Sequence, residues 1–88
     1  MDLESTPARN HDVVARPTAE ALILLDPSSG EYFTLDGVGG RVWELCDGSR
    51  SVEEIATLLA EEYDAPVARI RADVLELLVE LHESRLVA

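Results

Sequence analysis

The sequence predicts an α+β fold, with a three-stranded antiparallel sheet at the N-terminal end and three helices after it. Three observations carry this. Two β-rich runs flank the turn residues Asp26, Pro27, Ser28, Ser29 and Gly30 within Ala21–Leu35, the local chemistry of a hairpin. Ser51-Val-Glu-Glu54 is a capping box at the start of an apolar-periodic segment. The stretch from Pro66 to Ser84 repeats apolar residues at helical spacing.

In chain order, residues 1–11 are polar, contain Pro7, and are expected to be disordered or loosely attached. Residues 12–88 then form a single domain. Val13 and Val14 suit a first strand from about Asp12 to Arg16, which Pro17 confines to an edge or ends. The hairpin strands follow near Glu20–Leu25 and Glu31–Leu35. Tyr32 and Thr34 point to one face of the last strand, Phe33 and Leu35 to the other. Leu22 and Leu24 oppose Ile23 and Leu25 in the same way, so both faces carry apolar groups and a cover is expected over each.

Asp36 is placed to cap a first helix beginning near Val38. Gly37, Gly39 and Gly40 let that helix approach the sheet, and Asp47-Gly48 stops it. Val38, Val42, Leu45 and Cys46 form its apolar stripe, with Trp43 as a large anchor. The second helix runs from about Val52 to Tyr63, turning Val52, Ile55, Ala56, Leu58 and Leu59 inward. Asp64 or Ala65 is expected to cap a third helix that opens with Pro66. At about 100° per residue, Ile70, Val74, Leu77, Leu78 and Leu81 form one stripe of that helix. Leu75 and Val79 form a second, with Arg71 and His82 between the two. The apolar arc covers roughly 200°, about twice what a helix on one layer needs. The excess is either core or one wall of an apolar groove with Arg71 at its lip. Leu86 and Val87 are expected to pack back on the domain.

Composition narrows the function. The formal charge is −11 over 88 residues, and all seven basic residues are arginine. Clustered cations that could track phosphates are missing, which argues against nucleic acid and for a basic peptide or basic enzyme as partner. The longest apolar run, Ala21–Leu25, is far below the roughly 20 residues that cross a bilayer. The first residues lack the basic-then-apolar pattern of a signal peptide, so no membrane association and a cytoplasmic location are expected. Cys46 is the single cysteine and sits in an apolar helical stretch, where core packing is favoured over nucleophilic chemistry. His11 and His82 have no partner at metal-ligand or catalytic spacing. The glycine cluster lacks the Gly-Lys-Ser/Thr ending of a phosphate loop. No catalytic set, metal site or cofactor is expected.

The order of these pieces is winged-helix-like with the sheet first, and it resembles the PqqD-like family of leader-peptide-binding domains, the recognition elements of ribosomally made, modified peptides. The residues that carry the resemblance are Leu24 to Asp36, Gly39/Gly40 with Val42-Trp43, Leu45 to Val52, and Asp73-Val74 followed by leucines. It covers nearly the whole chain from about Val13 to Val87. The hairpin form Leu-Asp-x-x-x-Gly-x-Tyr-Phe-x-Leu looks like the stand-alone proteins of lasso-peptide gene clusters. The segment Leu45 to Val52 also resembles the pyrroloquinoline-quinone branch, although an aromatic and arginine-rich N-terminal stretch associated with that branch is missing.

The resemblance implies that the leader of a precursor peptide adds as a fourth strand against Glu31, Tyr32, Phe33, Thr34 and Leu35. The groove wall it implies is drawn from Val67, Ile70, Arg71, Val74, Leu75 and Leu78, with Arg71 and Asp73 as the charged contacts. The partners it implies are the leader peptide, a transglutaminase-like leader protease and an asparagine-synthetase-like cyclase. Each residue also has a plain structural reading. Tyr32 and Phe33 suit core aromatics, while Arg71 and Asp73 suit helix-surface ion pairs worth a few tenths of a kcal/mol.

Two other classes fit the sequence less well. A DNA-binding regulator would share the helix–turn–helix outline from Val38 to Tyr63, but its recognition helix carries Glu53, Glu54, Glu61 and Glu62 and would be repelled by phosphate. An acyl carrier needs Asp-Ser-Leu at a helix start, whereas the nearest match is Asp47-Gly48-Ser49-Arg50 after a hairpin.

Overall fold

The structure is a computed structural model that describes residues 1–88. Three strands, β1 (Val14–Pro17), β2 (Leu22–Leu25) and β3 (Tyr32–Leu35), precede three helices, α1 (Gly37–Leu45), α2 (Val52–Glu62) and α3 (Val67–Glu83). The predicted order of elements is the observed one. The sheet is antiparallel in the order β1-β2-β3, so β1 and β3 are both edges. Pro17 sits in β1, where its missing N–H faces away from β2 at no cost to the ladder. No helix is long and apolar enough to cross a membrane.

The β2–β3 turn closes as its residues dictate. The Asp26 carboxylate accepts from the Ser28 N–H and hydroxyl, and the Gly30 N–H donates to the Asp26 carbonyl at 2.8 Å. Gly30 takes a φ of +76°, which a residue with a side chain adopts only with strain. The register sets Leu22 opposite Leu35 and Leu24 opposite Phe33 on the inner face. Leu24 and Leu35 are buried there, while Leu22 and Phe33 pack against the same core.

One residue separates β3 from α1. Asp36 caps the helix, its Oδ1 accepting from the Gly39 N–H at 2.7 Å. A Cβ on Gly39 would lie 3.2 Å from the Leu35 Cβ, a tight contact that the missing side chain avoids where the helix lies close to the strand. Val42, Trp43, Leu45 and Cys46 of this segment enter the core with Val52, Ile55, Ala56 and Leu59 of α2 and Val74, Leu78 and Leu81 of α3. Leu86 and Val87 join them, packing the chain end back on the domain as expected.

Three features differ from expectation. The first is the N-terminal segment, which is tied down rather than loose. The capping box at Ser51 and Glu54 satisfies the Ser51 and Glu54 amides. The two amides between them belong to the N-terminal segment: Val52 N–H donates to the Ser5 carbonyl and Glu53 N–H to the Leu3 carbonyl. All four orphan amides of α2 are thereby paired. Pro7 is buried, Ala8 and Ala88 exchange backbone hydrogen bonds, and the Arg9 guanidinium donates to the Trp43 and Glu44 carbonyls at 3.1 and 2.6 Å. Apart from the buried Pro7 and the partly buried Leu3, these attachments run through backbone atoms and the polar side chains of Arg9 and Asn10, which leaves no apolar period to read.

The second difference is at the start of α3. Asp64 takes a left-handed φ of +48° that ends α2, and Pro66 is the N-cap, without a side-chain hydrogen bond. The third is the outer face of the sheet, where no second layer lies. Val14, Leu25 and Tyr32 are exposed on it, beside the half-buried Ile23.

Arg9→Ala removes two charge-assisted bonds to the last carbonyls of α1 and should destabilise the protein by about 1–2 kcal/mol. Urea unfolding followed by circular dichroism measures this. An unchanged midpoint would mean that the N-terminal segment contributes nothing to α1.

Candidate functional site

The outer edge of β3 carries no neighbouring strand, and no Cα atom of α3 comes within 8 Å of β3. An antiparallel ladder alternates its hydrogen-bonded pairs. The Asp26 N–H donates to the Glu31 carbonyl at 2.9 Å, which starts the alternation. Phe33 and Leu35 therefore direct their peptide groups to β2, and Tyr32 and Thr34 direct theirs outward. Glu31 does not belong to the open edge, because its carbonyl is held by Asp26 and its N–H donates to the Ser29 hydroxyl at 3.2 Å. The free row is thus two residues long on the protein side, enough to register an added strand.

Beside this edge lies a groove of about 440 Å³. Thr34, Leu35 and Asp36 border it from the sheet, Val38, Gly39 and Val42 from α1, and Ile70, Asp73, Val74 and Leu77 from α3. The one-residue junction at Asp36 brings the first turn of α1 to this place. Gly39 deepens the floor, since any Cβ there would press on Leu35.

Of the residues the sequence singled out, the groove gathers Thr34, Leu35, Ile70, Asp73 and Val74. Tyr32 belongs to the same edge through its backbone, while its side chain stands on the outer face, 70% exposed. Phe33 is half-buried against the core. Val67 is exposed at the start of α3 and does not line the groove. Leu78 is fully buried core, and Leu75 is a half-buried neighbour of the core.

Arg71 is not at the groove lip. Its Nε and Nη2 donate to the two Glu53 oxygens of α2 at 2.6 and 2.8 Å, in the planar two-point geometry that guanidinium and carboxylate favour. This pair holds the Glu53 carboxyl below its usual range and raises Arg71 further. The second apolar stripe of α3, Leu75 with Val79, falls on this same α2-facing flank of the helix wheel. The groove lies on the opposite flank, along Ile70, Asp73 and Leu77.

Sequence reasoning passed over Asp36, Val38, Gly39, Val42 and Leu77 as groove residues. Ile70, Asp73 and Leu77 share one edge of the helical wheel, and that spacing was the available signal for Leu77. For the α1 residues there was none, because their place depends on the contact at Gly39. Cys46 is buried, its thiol donates to the Val42 carbonyl at 3.2 Å, and burial pushes its pKa up to about 11. A thiol so protonated is packing material and a poor nucleophile.

Amide hydrogen exchange reads the open edge directly. Phe33 and Leu35 should exchange at least about tenfold more slowly than Tyr32 and Thr34 in the free protein. Equal protection at all four positions would mean that the edge is covered.

Residues 21–87 match the family model described as coenzyme PQQ synthesis protein D (PqqD). A PqqA binding protein of Xanthomonas euvesicatoria pv. vesicatoria (strain 85-10) is 47% identical over 64 residues, covering 73% of this chain and 67% of the relative. The solution structure of the PqqD truncation of Methylobacterium extorquens PqqCD, described as a stand-alone recognition element for ribosomally synthesized and post-translationally modified peptides, superposes with a TM-score of 0.78 at 33% identity. It covers 93% of this chain and 87% of its own. TbiB1 in complex with the TbiA(beta) leader peptide superposes with a TM-score of 0.80 at 29% identity, over 91% of this chain and 93% of that one. On this sequence match and this shared fold, the chain belongs to the PqqD family.

Proposed function

We propose that this protein is a non-catalytic adaptor that binds the leader of a ribosomally made precursor peptide by strand addition at β3. The single observation that carries the reading is an uncovered strand edge running alongside an apolar groove. The outward peptide groups of Tyr32 and Thr34 supply backbone hydrogen bonds, and the groove between α1 and α3 receives alternate guest side chains. TbiB1, which is complexed with a leader peptide, shares this fold over most of both chains and supports the reading. The adaptor contributes by holding the precursor near the enzymes that act on it, which raises the effective substrate concentration there.

In the setting we favour, lasso-peptide biosynthesis, those enzymes are a transglutaminase-like leader protease and an asparagine-synthetase-like cyclase. The hairpin sequence from Leu24 to Leu35 is what supports it. A second reading, a peptide chaperone in pyrroloquinoline-quinone biosynthesis, is favoured by the 47% identity to a PqqA binding protein. The two readings share the site and differ in the guest.

Fluorescence anisotropy with labelled leaders of both kinds tests the function and the setting together. A lasso-type leader should bind more tightly than a PqqA-type leader, and the reverse order would move the protein to the quinone pathway. Leu77→Glu places a charge in the groove and should weaken the preferred leader at least about tenfold, or 1.4 kcal/mol. Arg71→Gln, on the far flank, should change affinity by less than about twofold. Absence of binding to either leader would end the adaptor reading.

A further inference from the structure

We infer that the groove selects a guest segment with one apolar anchor and a lysine or arginine two residues away, and that Asp73 reads the charge. The inference rests on the peptide-binding reading above and adds a rule for what the peptide must contain. Asp36 and Asp73 are the two charged residues lining the groove, and no cation lines it. Asp36 uses one carboxylate oxygen to hold the Gly39 N–H, which keeps it in place at the end of β3. Asp73 is exposed on α3, and its carboxylate makes neither a hydrogen bond nor an ion pair.

Two cations of α3 lie nearest in sequence. Arg71 is turned to the far flank by Glu53, and Arg69, one turn before Asp73, forms no ion pair. Glu76 and Glu80 continue the negative edge of the helix beyond Asp73, within a chain of net charge −11. The apolar floor of Leu35, Val42, Ile70, Val74 and Leu77 thus ends in unneutralised carboxylate at its border.

Strand geometry converts this into a spacing. In an added strand, side chains at i and i±2 share a face, and those at i±1 point away. An anchor seated on the floor therefore brings residues i±2, and not i±1, to the border where the carboxylates stand. A cation there gains attraction, and an anion is repelled.

The test uses labelled strand-forming peptides of valine and threonine with one central tyrosine. Lysine, glutamine or glutamate stands two residues to either side, and a fourth peptide carries lysine at the adjacent positions instead. At low salt the lysine peptide should bind at least about tenfold more tightly than the glutamate peptide, with glutamine between them and adjacent lysine close to glutamine. The preference should shrink in about 0.5 M salt. Asp73→Asn should reduce it to less than about threefold. Asp73 has no partner to lose, so the variant keeps the fold.

Binding with no charge preference, or a preference that Asp73→Asn leaves intact, overturns this proposal and leaves strand addition standing. If none of the peptides binds or perturbs the Tyr32 and Thr34 amides, the peptide-binding reading fails with it.

Discussion

β3 ends at Leu35 and α1 begins at Gly37, so Asp36 alone turns the chain from strand to helix. That short junction decides where the helical layer can lie. The first turn of α1 is pressed against the strand it has just left, with Gly39 accepting the contact at Leu35. α3 then packs on α2 and α1 rather than on β3. The strand keeps an open edge, and the space beside it becomes a groove with an apolar floor. A bulky residue at position 39 would push α1 outward and take the groove with it.

An exposed edge in a small domain is a hazard unless it is blunted or put to use. β1, the other edge, contains Pro17 and is four residues long. β3 is as short but has no proline, and only alternate residues offer free peptide groups. A net charge of −11 adds repulsion between copies of the chain. The edge is thus guarded against self-pairing by length and charge, while a basic guest meets attraction where another copy of the chain would meet repulsion. The N-terminal segment contributes elsewhere: it pairs two amides of α2 and two carbonyls of α1, and so ties the start of the chain to the helical layer.

Much of this was legible from local chemistry. The Asp26–Gly30 turn, the Asp36 cap, the Ser51–Glu54 capping box and the inward stripes of α2 and α3 are interactions between residues close in sequence. Their patterns determine the elements, and the elements formed as read. What was not legible depends on contacts between distant segments. Leu3 and Ser5 cap α2 through their carbonyls, which every residue possesses. The choice of flank on α3 follows from its packing on α2, and the Arg71–Glu53 pair, eighteen residues apart, lies on the α2 side, while Asp73 and Leu77 border the groove. Both flanks are apolar on the wheel, and only the position of α2 separates core from groove.

The central claim is that a guest chain completes the ladder at Tyr32 and Thr34. Amide exchange on the protein saturated with its leader peptide measures this most directly. Those two amides should become protected at least about tenfold over the free protein, with Phe33 and Leu35 little changed. A bound peptide that leaves Tyr32 and Thr34 exchanging as fast as before would contradict the account, because affinity would then come from some other surface.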